Sequence, residues 1–144
     1  MNDFHTFIKE SGYPKLWYWY AENRFWKDAE NRQYELGNRC ISNWNVNKWV
    51  NLYDVFQKEP VVIKNCFNFG LKSIAGALYN HGLVKTHIES NCASGMTAMA
   101  LAWKSYQESD NPEKSTIMID IAKYNKFDCK ILKELLFYLR KNHT

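Results

Sequence analysis

The sequence predicts a helix-rich α+β fold, on three observations. Several segments carry apolar residues at the i, i+3, i+4, i+7 spacing that turns one side of a helix to a core. Aromatic or β-branched runs suited to strands are confined to residues 16–20 and 61–63. Gly and Pro punctuate the joins between these segments. With 144 residues, 46% of them hydrophobic, the chain has the length and apolar content for one core, so a single domain over 1–144 is expected.

Phe4, Phe7 and Ile8 share a helical face ahead of Ser11-Gly12, and Pro14 separates that helix from the strand-like run Leu16-Trp17-Tyr18-Trp19-Tyr20. From Ala21 to about Leu36, Phe25, Trp26, Ala29 and Tyr34 alternate with charge in a helical pattern, and Gly37 supplies a stop. Residues 44–49 read as loop. Residues 50–56 read as a short helix or turn ended by Pro60, and Val61-Val62-Ile63 as a short strand at most. Leu71, Ile74, Ala75 and Leu78 line a helix that His81-Gly82 ends. Ser94 can cap the next helix, on which Met96, Met99, Ala100 and Trp103 form a stripe expected to be core. After the loop Asp110-Asn111-Pro112, a long helix is expected from Ser115 to about Lys141, bent or divided near Tyr124.

Composition narrows the function classes. The 19 Lys+Arg against 15 Asp+Glu give a net charge of +4, a basic lean too mild to prove nucleic-acid binding. No apolar run approaches the roughly 18 residues of a membrane span, and the residues after Met1 lack the n-region and h-region of a signal peptide, so an intracellular (cytoplasmic) location is expected. Cys40, Cys66, Cys92 and Cys129 are scattered without a CxxC pair and read as buried free thiols. None of the four histidines sits three to five residues from another, which argues against a structural zinc site.

The last helix carries the clearest chemical signal. At 100° per residue, Ile121, Tyr124, Phe127, Ile131, Leu132, Leu135, Tyr138 and Leu139 gather on one arc, while Lys123, Lys126, Lys130, Lys133 and Lys141 gather opposite. Asp128 falls near the middle of the apolar arc, one turn after Tyr124. A carboxylate turned toward a core needs a partner. That partner could be a cation such as Lys72 or a metal ion, unless a break near Phe127 turns Asp128 to solvent instead. The lysine stripe points away from Asp128 and reads as a solvated face.

Tyr124-Asn125-Lys126-Phe127-Asp128 has the form Y-x-x-x-D and resembles the third motif of DEDDy-type 3′-5′ exonucleases of the ribonuclease H-like superfamily. Trp49-Val50-Asn51-Leu52 to Pro60, then Phe69-Gly70-Leu71-Lys72-Ser73-Ile74-Ala75, then Tyr124 to Cys129 resemble, in order and spacing, the YprB-type nuclease domain of RecB-family nucleases. Trp19 to Glu22 resembles the strand end that precedes these motifs. The resemblance covers nearly the whole chain but only the C-terminal part of that domain, a ribonuclease H-like α/β fold lacking its first strands.

The resemblance implies a site where four acids hold two Mg²⁺ or Mn²⁺ ions that activate water against a phosphodiester. Asp128 matches the last acid and metal ligand, Tyr124 the tyrosine that orients the water, and Lys72 a helix-start lysine that could meet a nucleic-acid phosphate. The family's D-x-E and second-motif aspartate would precede this chain; Asp28-Ala29-Glu30 spells D-x-E in a polar helical context, and Asn51 stands where an aspartate is common. The expectation is therefore an incomplete nuclease domain, inactive alone, that needs an N-terminal partner segment or self-associates. Two alternatives stand beside it: a small helical interaction protein, and a nucleic-acid-binding module that uses Trp17, Tyr18, Trp19 and Tyr20 as stacking platforms.

Overall fold

The computed structural model describes residues 2–37, 49–59, 61–87 and 94–143. They fall into two compact units, 1–62 and 63–144. Among the described residues the architecture is helix-rich with one small parallel sheet, consistent with the expected helix-rich α+β class.

In the first unit, helix α1 (Asn2–Glu10) leads through Gly12, at φ +73°, to strand β1 (Leu16–Tyr18). Helix α2 (Glu22–Glu35) follows, then strand β2 (Trp49–Asn51) and helix α3 (Leu52–Lys58). The strands pair in parallel, Leu16 with Trp49, Trp17 with Val50 and Tyr18 with Asn51, so β1, α2 and β2 form a crossover unit. The strand stops short of the expected Tyr20 because Glu22 Oε2 accepts the backbone N–H groups of Tyr20 (3.0 Å) and Ala21 (3.1 Å), taking those donors from the ladder to start α2. Trp49, expected in a loop, instead opens β2 and sets its ring edge-on to Tyr18 at 5.8 Å. Residues 44–48 lie outside the described residues. Ile8, Tyr18, Trp19, Leu52 and Phe56 are buried, with Trp19 against Tyr53 and Phe56.

Where the first unit ends and the second begins, Val61-Val62-Ile63 joins no ladder among the described residues; Val62 is almost fully exposed, so β-branching had no pleated surface to fit. Helix α4 (Leu71–Asn80) ends in a Schellman motif: Gly82, at φ +69°, donates to the Tyr79 carbonyl and Leu83 to the Leu78 carbonyl. Helix α5 (Gly95–Glu108) starts where Ser94 Oγ accepts the Thr97 N–H at 3.1 Å. A 3-10 turn (Pro112–Lys114) leads to helix α6 (Thr116–Asn142), which is undivided over its 27 residues. Ser115 Oγ caps α6 by accepting the Met118 N–H at 3.2 Å, and lies 2.6 Å from the buried Ser105 Oγ of α5. Both α4 and α5 pack on α6.

The face that α5 turns inward differs from the expected one. Met96, Met99 and Trp103 are 76%, 67% and 69% exposed, whereas Ala98 and Ser105 are buried. Small residues let α5 approach α6 closely enough for the Ser105–Ser115 hydrogen bond, which large residues on the same face would prevent. On α6 the pattern holds: Phe127, Ile131 and Leu135 are buried, and Lys123, Lys126, Lys130, Lys133 and Lys141 are exposed.

Glu134 ties the segment after α4 to α6. Its Oε2 accepts from the backbone N–H groups of Lys85 (2.8 Å) and Thr86 (3.0 Å), and its Oε1 accepts from Thr86 Oγ1 at 2.6 Å. Burial pushes this carboxyl up, but the hydrogen bonds from Thr86 and Lys85, with Lys130 nearby, outweigh it and hold it below its ordinary value of 4.5. Glu134→Ala should therefore destabilise the fold by about 1–3 kcal/mol, since it strands the backbone N–H and the hydroxyl of the buried Thr86. A carboxyl whose folded value is depressed stabilises fully above its unfolded value, and that contribution is lost as pH falls through the folded value. Denaturation at about pH 7 and about pH 3 should show the wild-type advantage over Glu134→Ala shrinking in acid.

Candidate functional site

α6 carries Tyr124 and Asp128 one turn apart on the same face, and α4 delivers Lys72 to that face. Lys72 Nζ lies 4.3 Å from the centroid of the Tyr124 ring, a cation–π distance. The structure thus brings Lys72 and Tyr124 into contact, with Asp128 on the next turn. All three are half-buried. Asp128 does not turn to solvent, because α6 is not divided near Phe127 and the buried Phe127 and Ile131 on either side fix its rotation. Its Oδ1 is buried and accepts no hydrogen bond, while the side chain is otherwise engaged.

Of the acids in the metal centre that the resemblance implies, Asp128 is the one this sequence matches. Among the described residues, no group of three or more His, Cys, Asp or Glu side chains converges as a cation cage. A single carboxylate is too weakly negative to hold two divalent ions. Asp28 is exposed on α2, so the D-x-E spelling lies in a helix, as its polar context predicts. Asn51 serves the fold instead, since its Oδ1 caps α3 by accepting the Tyr53 N–H at 3.1 Å and its Nδ2 donates to Asp54 Oδ1 at 2.8 Å. Asp54 in turn pairs with Lys58 at 3.3 Å.

Beside Lys72 lies a cleft of about 470 Å³, walled by the loop 64–68 and by Lys72, Ser73, Gly76, Asn80 and His81 along α4. The loop is shaped locally. Asn65 takes φ +65°, the Cys66 N–H donates to the Ile63 carbonyl at 3.0 Å, and the Cys66 thiol donates to the Asn68 carbonyl at 3.2 Å. Asn68 Oδ1 accepts the Gly70 N–H at 2.9 Å ahead of α4, and His81 Nε2 lies 3.0 Å from the Lys64 carbonyl, joining the two walls. A Cβ at Gly76 would meet nothing within 4 Å, so the α4 wall faces open space at that point. Lys64 and Lys72 supply positive charge, the asparagines and Ser73 supply donors, and among the described residues no carboxylate lines the cleft. Such a lining suits an anion with several oxygen acceptors.

The expected aromatic platform fares differently. Tyr18 and Trp19 are buried, Trp17 is half-buried, and the exposed Tyr20 packs on Tyr53 at 5.2 Å. Tyr18 and Trp19 thus serve the first unit's core, while Trp17 and Tyr20 keep exposed surface. Of the cysteines, Cys66 is half-buried and Cys129 exposed, against the expectation of buried thiols; Cys40 and Cys92 lie outside the described residues. Sequence reasoning singled out Lys72 but not Lys64, Phe67 or the cleft, because the loop 64–68 has no periodicity and no motif. The one available signal was the density of Asn and Lys around Phe67. Comparison of the chain with protein-family models, curated proteins and solved structures finds no match.

Proposed function

We propose that the chain binds nucleic acid through the cleft between the loop 64–68 and α4, and that it does not hydrolyse phosphodiesters by itself. The observation that carries this reading is the cleft lining, in which Lys64 and Lys72 stand among amide and hydroxyl donors with no described carboxylate to repel a phosphate. The net charge of +4 favours the same class of partner. The test is incubation of the purified chain with labelled oligonucleotides in millimolar Mg²⁺. We expect retardation of the label without shortening; shortening that Asp128→Ala abolishes would contradict the reading, as would the absence of any retardation.

A second reading, the C-terminal portion of a ribonuclease H-like exonuclease domain, is favoured by one observation: Lys72 sits on the Tyr124 ring with Asp128 one turn further on, so three residues of the resemblance share one place. On that reading an N-terminal segment or a second copy would complete the sheet and bring the other acids. It is tested by melting wild type and Asp128→Asn with and without millimolar Mg²⁺. A metal held by Asp128 would raise the wild-type midpoint alone. We expect Mg²⁺ to shift neither, because the described residues offer no convergent set of acids.

A further inference from the structure

We infer that the cleft takes unpaired nucleotides, with Phe67 as the surface on which a base stacks. This rests on the nucleic-acid reading above and narrows it to single strands. Phe67 is 94% exposed, yet it lines the same cleft as Lys64 and Lys72. Two features set the turn that carries it: the left-handed backbone of Asn65, and the Cys66 thiol bonded to the Asn68 carbonyl on its other side. A phenyl ring this exposed contributes little to folding, but at the rim of a cationic cleft it offers a π-face beside the groups that would hold a phosphate. Nucleotides present that pairing of an anionic backbone with a flat apolar face. In a duplex the base faces are covered by their neighbours, and a rim aromatic finds only sugar and phosphate; in a single strand they are accessible. The size agrees, since about 470 Å³ falls in the range of sites for small ligands and suits a nucleotide unit better than the breadth of a duplex.

The test is fluorescence anisotropy with two labelled probes, a single-stranded oligothymidylate of about 12 nucleotides and a blunt hairpin duplex of similar charge. Wild type, Phe67→Ala, Phe67→Trp and Lys64→Ala are compared after melting curves confirm that each is folded. We expect the single strand to bind more tightly than the duplex. Phe67→Ala should weaken single-strand binding about tenfold while leaving the duplex unchanged, and Phe67→Trp should retain it. Lys64→Ala should weaken both probes. Equal affinity for the two probes, or a Phe67→Ala loss that is absent or equal on both, would overturn this inference while leaving nucleic-acid binding in place. No binding of either probe by wild type, or indifference to Lys64→Ala, would overturn the underlying reading and this inference with it.

Discussion

Ile131→Ala is expected to cost about 3–4 kcal/mol, the largest stability effect in the second unit. Ile131 and Leu135 have no exposed surface, and they sit on α6 where it meets the other helices of its unit. Removing three carbons there forfeits their transfer energy and leaves a cavity that α6 cannot close, because Phe127 one turn earlier and Leu135 one turn later hold its rotation. The neighbouring Lys130→Ala, on the exposed side, should change stability by no more than about 0.5 kcal/mol. Urea denaturation followed by circular dichroism compares the two. A loss below about 1 kcal/mol for Ile131→Ala would mean that α6 is not packed as described.

Replacing Lys64 and Lys72 together with alanine is expected to weaken oligonucleotide binding by about tenfold to a hundredfold at about 50 mM salt. The two residues need separate control variants, because they sit differently. Lys64 is exposed and belongs to the loop, so Lys64→Ala reads charge alone. Lys72 also packs on the Tyr124 ring, so Lys72→Ala should in addition lower stability by about 0.5–1 kcal/mol through the lost cation–π contact. A melting curve beside each binding curve separates these effects. The double variant binding like wild type would mean that the cleft holds no nucleic acid.

Helix stops and starts were legible in the sequence wherever one residue decides them. Gly37 and Gly82 take the positive φ that ends α2 and α4, and the Ser94 and Ser115 hydroxyls cap α5 and α6. The inward face of α6 was legible too, since its apolar arc is broad and its lysines lie opposite. What escaped depends on contacts distant in sequence. Two parallel strands of three residues each carry almost no period, and Trp49 is strand only because β1 pairs with it. The α5 helix has large apolar residues on one face and small ones on the other, and only its partner helix decides which face turns in. Glu134 grips a segment 48 and 49 residues away, which no local pattern announces. At the candidate site, the Tyr124–Asp128 spacing could be read along one helix, and Lys72 was named both as a cation for Asp128 and, by resemblance, as a helix-start lysine. Its meeting with Tyr124 and the cleft beside it required the packing of α4 on α6.

If Lys64 and Lys72 hold phosphate, the salt dependence of binding shows it most directly. Each phosphate neutralised on a single strand contributes about −0.7 to the slope of log affinity against log salt concentration. Measured between about 50 and 200 mM salt with the single-stranded probe, the Lys64→Ala/Lys72→Ala variant should show a slope shallower than wild type by about 1.4. Parallel lines for wild type and the double variant would contradict the proposed binding mode, since they would show that these two lysines neutralise no phosphate.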